Sequence, residues 1–156
     1  MKHLSRREAA AVDALLSVVT RLDWPPLAHV ALFGSRARGD HDRSSDVDVL
    51  LVCRVPPWRR AAAASIHLAL AHRVTRETGV PIEPWTVSAD DLERGSRTPM
   101  LADAVEDSIP LWPQGAPRLH APFTPADAVF CAGRLLEWVE AGGGEAKRAL
   151  VEGRWV

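Results

Sequence analysis

Two short clusters in this chain carry side chains that could do chemistry together. Gly34-Ser35 is followed at once by Arg36 and Arg38, and ten residues separate Ser35 from the pair Asp46-Val47-Asp48. In an extended segment, positions two apart share a face, so Asp46 and Asp48 would project side by side. Adjacent carboxylates repel. A hard divalent cation between them removes the conflict, and two such ions about 3.5–4 Å apart can clamp an in-line phosphoryl displacement. A glycine-serine turn that opens a helix offers free N–H groups to a phosphate, and Gly34 has no Cβ to hold that phosphate away. Ser35 adds a hydroxyl, and Arg36 and Arg38 add permanent positive charge. A phosphate cradle beside a metal-binding carboxylate pair is the minimum equipment for handling a nucleoside triphosphate.

The elements that must hold these clusters are legible on either side. His29–Phe33 is an apolar run of strand length that halts at Gly34, and Val49–Val52 continues the aspartate pair as a buried strand. Val47 and Val49 should turn into the core while the aspartates face the other way. A solvated aspartate pair would not need to sit directly before a run that must be buried. Upstream, Ser5-Arg6-Arg7-Glu8 reads as a capping box for an amphipathic helix over 6–22, with Val12, Leu15, Leu16, Val19 and Leu22 at helical spacing. Downstream, Pro56-Pro57 sets up a helix from about 58 to 78, with Ile66, Leu70 and Val74 on one face and Gly79 as its stop. Val80–Val87 is a third strand. Prolines 81 and 84 bracket Glu83, so this strand belongs at a sheet edge or is irregular there. Strand, helix and strand in that order imply a right-handed crossover.

Gly34-Ser35, Ala37-Arg38-Gly39 and Ser45-Asp46-Val47-Asp48 together resemble the signature of the DNA polymerase β-like nucleotidyltransferase superfamily, in its minimal nucleotidyltransferase branch. The motif covers about 19 residues, and a looser likeness extends from about residue 5 to 112. The resemblance implies an α/β fold, a small mixed β-sheet flanked by helices, over residues 1–113; the proline-rich stretch that follows reads as a loop leading to a C-terminal helical extension, together 114–156. The resemblance also implies nucleotidyl transfer from ATP or another NTP: the triphosphate on Gly34, Ser35, Arg36 and Arg38, and Mg²⁺, two ions, on Asp46 and Asp48. It places a third carboxylate on the strand beside the aspartate pair, where Glu83 stands, as a metal ligand or as the group that draws a proton from the attacking hydroxyl. Proteins of this branch and size resemble antitoxins that adenylylate a HEPN-type toxin, so AMP transfer to a hydroxyl of such a partner is the leading expectation. Two alternatives remain: transfer to a small hydroxylated molecule of the aminoglycoside type, and a catalytically idle module that binds its partner without modifying it.

Composition narrows the rest. With 156 residues the chain suits one core, and 19 basic against 20 acidic residues leave a net charge of −1, which disfavours a long nucleic acid as substrate. Cys53 and Cys131 form no C-x-x-C pair and the six histidines are scattered, which argues against zinc and for a reducing cytoplasm. The apolar stretch 61–71 is too short for a bilayer. Asp90 and Asp91 follow Ser88 in the pattern of a helix start, where acids serve the dipole, and are poorer candidates than Glu83. Trp58, Trp85 and Trp112 are expected as packing residues, with Trp85 sharing the strand parity of Glu83 and so able to border the nucleotide base. Thr98-Pro99 opens a short helix, Ile109–Trp112 a brief strand, and Thr124–Asp127 a last long helix that carries Val129, Ala132, Leu136 and Val139 on one side before Gly142-Gly143-Gly144. A final short helix is expected over 145–152.

Overall fold

The computed structural model of the chain describes residues 3–93, 98–116, 119 and 124–142. Helix α1 (Arg6–Val19) opens with the expected capping box: the Ser5 hydroxyl accepts from the Glu8 amide and the Glu8 carboxylate accepts from the Ser5 amide. Then come β1 (Leu27–Leu32), α2 (Gly34–Arg38), β2 (Val47–Cys53), a short 3₁₀ turn over Pro57–Arg59, α3 (Arg60–Thr78) and β3 (Ile82–Ser88). Helix α4 (Ala89–Glu93), α5 (Pro99–Glu106), β4 (Ile109–Trp112) and α6 (Pro125–Gly142) complete the described chain. The helix expected over 145–152 lies outside the described residues, as do Phe123 and Trp155.

The four strands form one mixed sheet in the order β3-β2-β1-β4. β1 runs antiparallel to both β2 and β4, whereas β2 and β3 are parallel and joined through α3. β3 is an edge strand, as its prolines require. Alternation along each strand sorts side chains into two layers. Val47, Val49, Leu51 and Cys53 of β2 and Val30 and Leu32 of β1 face α1 and α3. Leu50, Val52, Ala31 and Val87 face the opposite way, against α4 and α5 through Leu92, Leu101 and Val105. Strand parity therefore puts Asp48, Glu83 and Trp85 on the α4/α5 side of the sheet.

Two packing expectations are corrected. The buried seam of α3 is Ala63, His67, Ala71 and Val74, and Ile66 is only half-buried. Small alanines let the helix approach α1 and the sheet closely, and His67 is tolerated inside because its Nδ1 meets the Thr86 hydroxyl at 2.8 Å. Burial pushes its pKa down to about 4, so it is neutral at pH 7. Trp58 is 83% exposed, since none of the described elements covers the 3₁₀ turn that carries it. On α6, Val129 is 74% exposed and Leu136 is exposed as well.

Candidate active site

The site is built at the seam where β1 ends and β2 begins. Antiparallel pairing carries the Phe33 amide to the Asp48 carbonyl, 3.1 Å away, which brings the turn after β1 against the aspartate strand. Phe33 is still extended, and the next residue, Gly34, has φ +69° and starts α2. A Cβ at Gly34 would collide with the Asp48 carboxylate, so glycine is required both by backbone conformation and by the approach of that side chain. No side chain caps α2, so its first amides keep their donor capacity. Ser35 is half-buried; its carbonyl accepts from the Gly39 and Asp40 amides, and its hydroxyl has no partner among the described residues.

Asp46 lies exposed just before β2, Val47 is buried, and Asp48 is half-buried, as alternation predicts. Parallel pairing sets Glu83 directly opposite Asp48. The Asp48 carboxyl titrates above the usual carboxylate range, first because burial strips it of water and then because Asp46 and Glu83 bring like charge; Arg38 opposes the shift. Trp85 lies beyond Glu83 on the same face and packs against Phe33, with ring centroids 5.7 Å apart and planes at 48°. Asp90 and Asp91 are not gathered here. They follow Ser88, which pairs with Cys53 at the far end of β2, about 16 Å along the strand from Asp48, and Asp91 lies 3.8 Å from Arg60.

The two arginines part company. Arg36, expected on the phosphates, is only 8% exposed; its Nη2 lies 2.8 Å from Glu8 and donates to the Ser45 carbonyl at 3.0 Å. It borders a cavity of about 300 Å³ on the Val47 side of the sheet, with Arg7, Glu8 and Arg43. Arg36 thus ties α2 to α1, because a buried guanidinium needs a buried anion. Arg38 stays at the site, where its Nε donates to Asp40 at 3.0 Å and its Nη1 to Asp107 at 2.6 Å. Asp107 escaped the sequence reading because it lies 69 residues from Arg38 and carries no local motif.

The sequence model of one family, described as the nucleotidyltransferase domain, matches residues 16–101, more than half of the chain. The chain belongs to that family. Its match takes in Gly34, Ser35, Asp46, Asp48 and Glu83 and ends before Asp107 and α6. Among solved structures, a candidate nucleotidyltransferase from Sulfolobus solfataricus shares 20% identity at a TM-score of 0.41, covering 73% of this chain and 93% of its own. A toxin-antitoxin structure with AMP-PNP shares 16% identity at a TM-score of 0.44, covering 96% and 98%. The MntA-HepT toxin-antitoxin shares 15% at 0.37, covering 94% and 95%. No curated protein sequence matches.

The donor set of this nucleotidyltransferase suits a hard cation. Asp46 and Asp48 offer only oxygens, they crowd each other as like charges, and the one buried more deeply is held uncomfortably as an anion. Among the described residues no group of three His, Cys, Asp or Glu side chains is assembled to hold a metal, so Glu83 is adjacent to the pair without converging on it. No helix of the described residues is long and apolar enough to cross a membrane.

Proposed function

We propose that the chain transfers a nucleoside monophosphate, AMP by preference, from an NTP to a hydroxyl of a partner protein, the hydroxyl attacking the α-phosphorus and pyrophosphate leaving, and that the partner is a HEPN-type toxin. The observation that carries the transfer chemistry is the shared face: the Gly34-Ser35 turn, Asp48 and Glu83 meet at one end of the sheet with a glycine fitted against the carboxylate. The turn amides and the Ser35 hydroxyl bind the triphosphate. Asp46 and Asp48, with Glu83 beside them, would hold Mg²⁺, which when bound would neutralise the phosphates and polarise the reacting phosphorus. Glu83 is also placed to accept the proton of the attacking hydroxyl. Arg38 stabilises negative charge on the phosphates, a role that the buried ion pair of Arg36 denies to its neighbour.

A protein acceptor suits a shallow site set on a turn and a strand end, with no long insertion to form a deep pocket for a small molecule. Residues 123–156 supply the docking surface in this reading. Exposed Val129 and Leu136 on α6 are apolar area of the sort that interfaces cover. The test is co-expression with a neighbouring HEPN protein and intact-mass measurement of that protein. One added nucleotide monophosphate, absent with Asp48→Asn, is the expected result. An unmodified partner alongside efficient transfer to a small aminoalcohol would overturn the acceptor assignment.

A further inference from the structure

Asp107 ends α5, where its amide closes the helix on the Asp103 carbonyl at 3.0 Å. Two residues later Ile109 begins β4 by pairing with Leu32, the last residue of β1. The β1–β4 pairing therefore delivers the Asp107 carboxylate to α2. There it grips the Arg38 guanidinium from one side while Asp40 grips it from another, using Nη1 and Nε and leaving three of the five N–H donors uncommitted to these acids. The Asp107 and Arg38 side chains are 24% and 45% exposed, and ion pairs this open contribute little to stability. Arg38 stands on the same short helix whose first residue, Gly34, lies against the Asp48 carboxylate. A guanidinium held by two anions beside a phosphate site has lost its rotamer freedom before the ligand arrives, so less is lost on binding.

We propose that Asp107, together with Asp40, is a positioning residue that holds the Arg38 guanidinium beside Asp48, so that its free donors meet the phosphates of the bound triphosphate. This rests on the nucleotide-binding reading of the site. It adds a determinant from beyond the family match: phosphate affinity set by the junction of α5 and β4.

The experiment is calorimetric titration of the full chain with a non-hydrolysable ATP analogue plus Mg²⁺ and, separately, with adenosine. Asp107→Asn should weaken triphosphate binding roughly tenfold, the loss expected when a charge-assisted contact is misplaced, with adenosine binding and melting temperature unchanged. Asp107→Glu should recover most of the affinity. In an Arg38→Gln background Asp107→Asn should cause no further loss, because it acts only through that guanidinium. Asp40→Asn reaches the same group without touching α5 and should weaken the triphosphate in the same way, which keeps the test open if Asp107→Asn misfolds. Unchanged triphosphate affinity in both Asp107→Asn and Asp40→Asn, an equal loss of adenosine, or full additivity with Arg38→Gln would overturn the positioning role. Failure of the unmodified chain to bind the triphosphate would overturn the nucleotide reading itself, and this inference with it.

Discussion

Gly34→Ala tests the closest fit in the site. The backbone there has φ +69°, and an L side chain in the left-handed region costs about 1–2 kcal/mol. For a chain of this size that alone lowers the melting temperature by roughly 2–8 °C. The added methyl also meets the Asp48 carboxylate, which must swing aside or push the turn away from β2. A displacement on the order of 1 Å in a reacting constellation costs about 10²-fold in rate, so transfer should fall by that factor. The two effects separate in a cycle with Asp48→Ala, which removes the carboxylate and leaves only a close approach to the Cβ, one that a shift of a few tenths of an ångström relieves. Gly34→Ala should be markedly less destabilising in the Asp48→Ala background, retaining the backbone component and a small residual from the Cβ contact. Melting curves of the four proteins without metal measure this. If Gly34→Ala costs the same with and without the Asp48 carboxylate, the turn is not fitted against that side chain and the geometry of the site is misread.

Asp48→Asn should abolish transfer yet raise the melting temperature of the metal-free protein at pH 7. Because the Asp48 pKa is raised in the fold, its ionisation removes stability as pH climbs from the ordinary carboxylate range through the folded value; the advantage of Asp48→Asn should therefore vanish in acid and grow with pH, as melts across pH 3–8 would reveal. Millimolar Mg²⁺ with ATP should stabilise the unmodified chain by mass action and leave Asp48→Asn unmoved in the same melts. Glu83→Gln should lower turnover by orders of magnitude with little change in triphosphate affinity, whereas Asp90→Asn and Asp91→Asn should be silent, as single-turnover assays with labelled ATP would show. Removal of residues 123–156 should leave triphosphate binding intact and weaken capture of the partner, measured by pull-down and calorimetry on one preparation.

What was legible beforehand had a local cause. The capping box, the glycine start of α2, the in-and-out order of Asp46, Val47, Asp48 and Val49, and the edge position of the proline-bearing β3 all follow from periodicity or from the limits of glycine and proline. What was not legible depends on partners brought from far along the chain. Arg36 and Arg38 are indistinguishable in a motif, yet Glu8 draws one inward and Asp107 keeps the other at the site. The seam of α3 turned toward alanines and a histidine because a close helix crossing rewards small side chains and Thr86 could meet one nitrogen of the imidazole. Trp58 looked like packing by residue type alone; whether anything covers it is a property of the whole fold.

The hydrogen bond between His67 and Thr86 also restricts which alternative pairings of β3 are tolerable. A slip of β3 along β2 by one residue would send Glu83 and Trp85 into the α3 layer, and alternation already forbids it. A slip by two keeps every side chain on its proper side and would pass unnoticed by hydrophobic patterning, while moving Glu83 about 6–7 Å from Asp48. The buried imidazole notices. Slipped one way it faces Pro84, which has no polar side chain, and a stranded polar group costs about 1–3 kcal/mol. Slipped the other way it faces Ser88, but the same slip carries Ser88 away from the Val55 carbonyl and breaks their 2.6 Å bond. A residue with no part in the chemistry thereby acts as a vernier for the edge strand, and holds Glu83 level with Asp48 from behind the sheet.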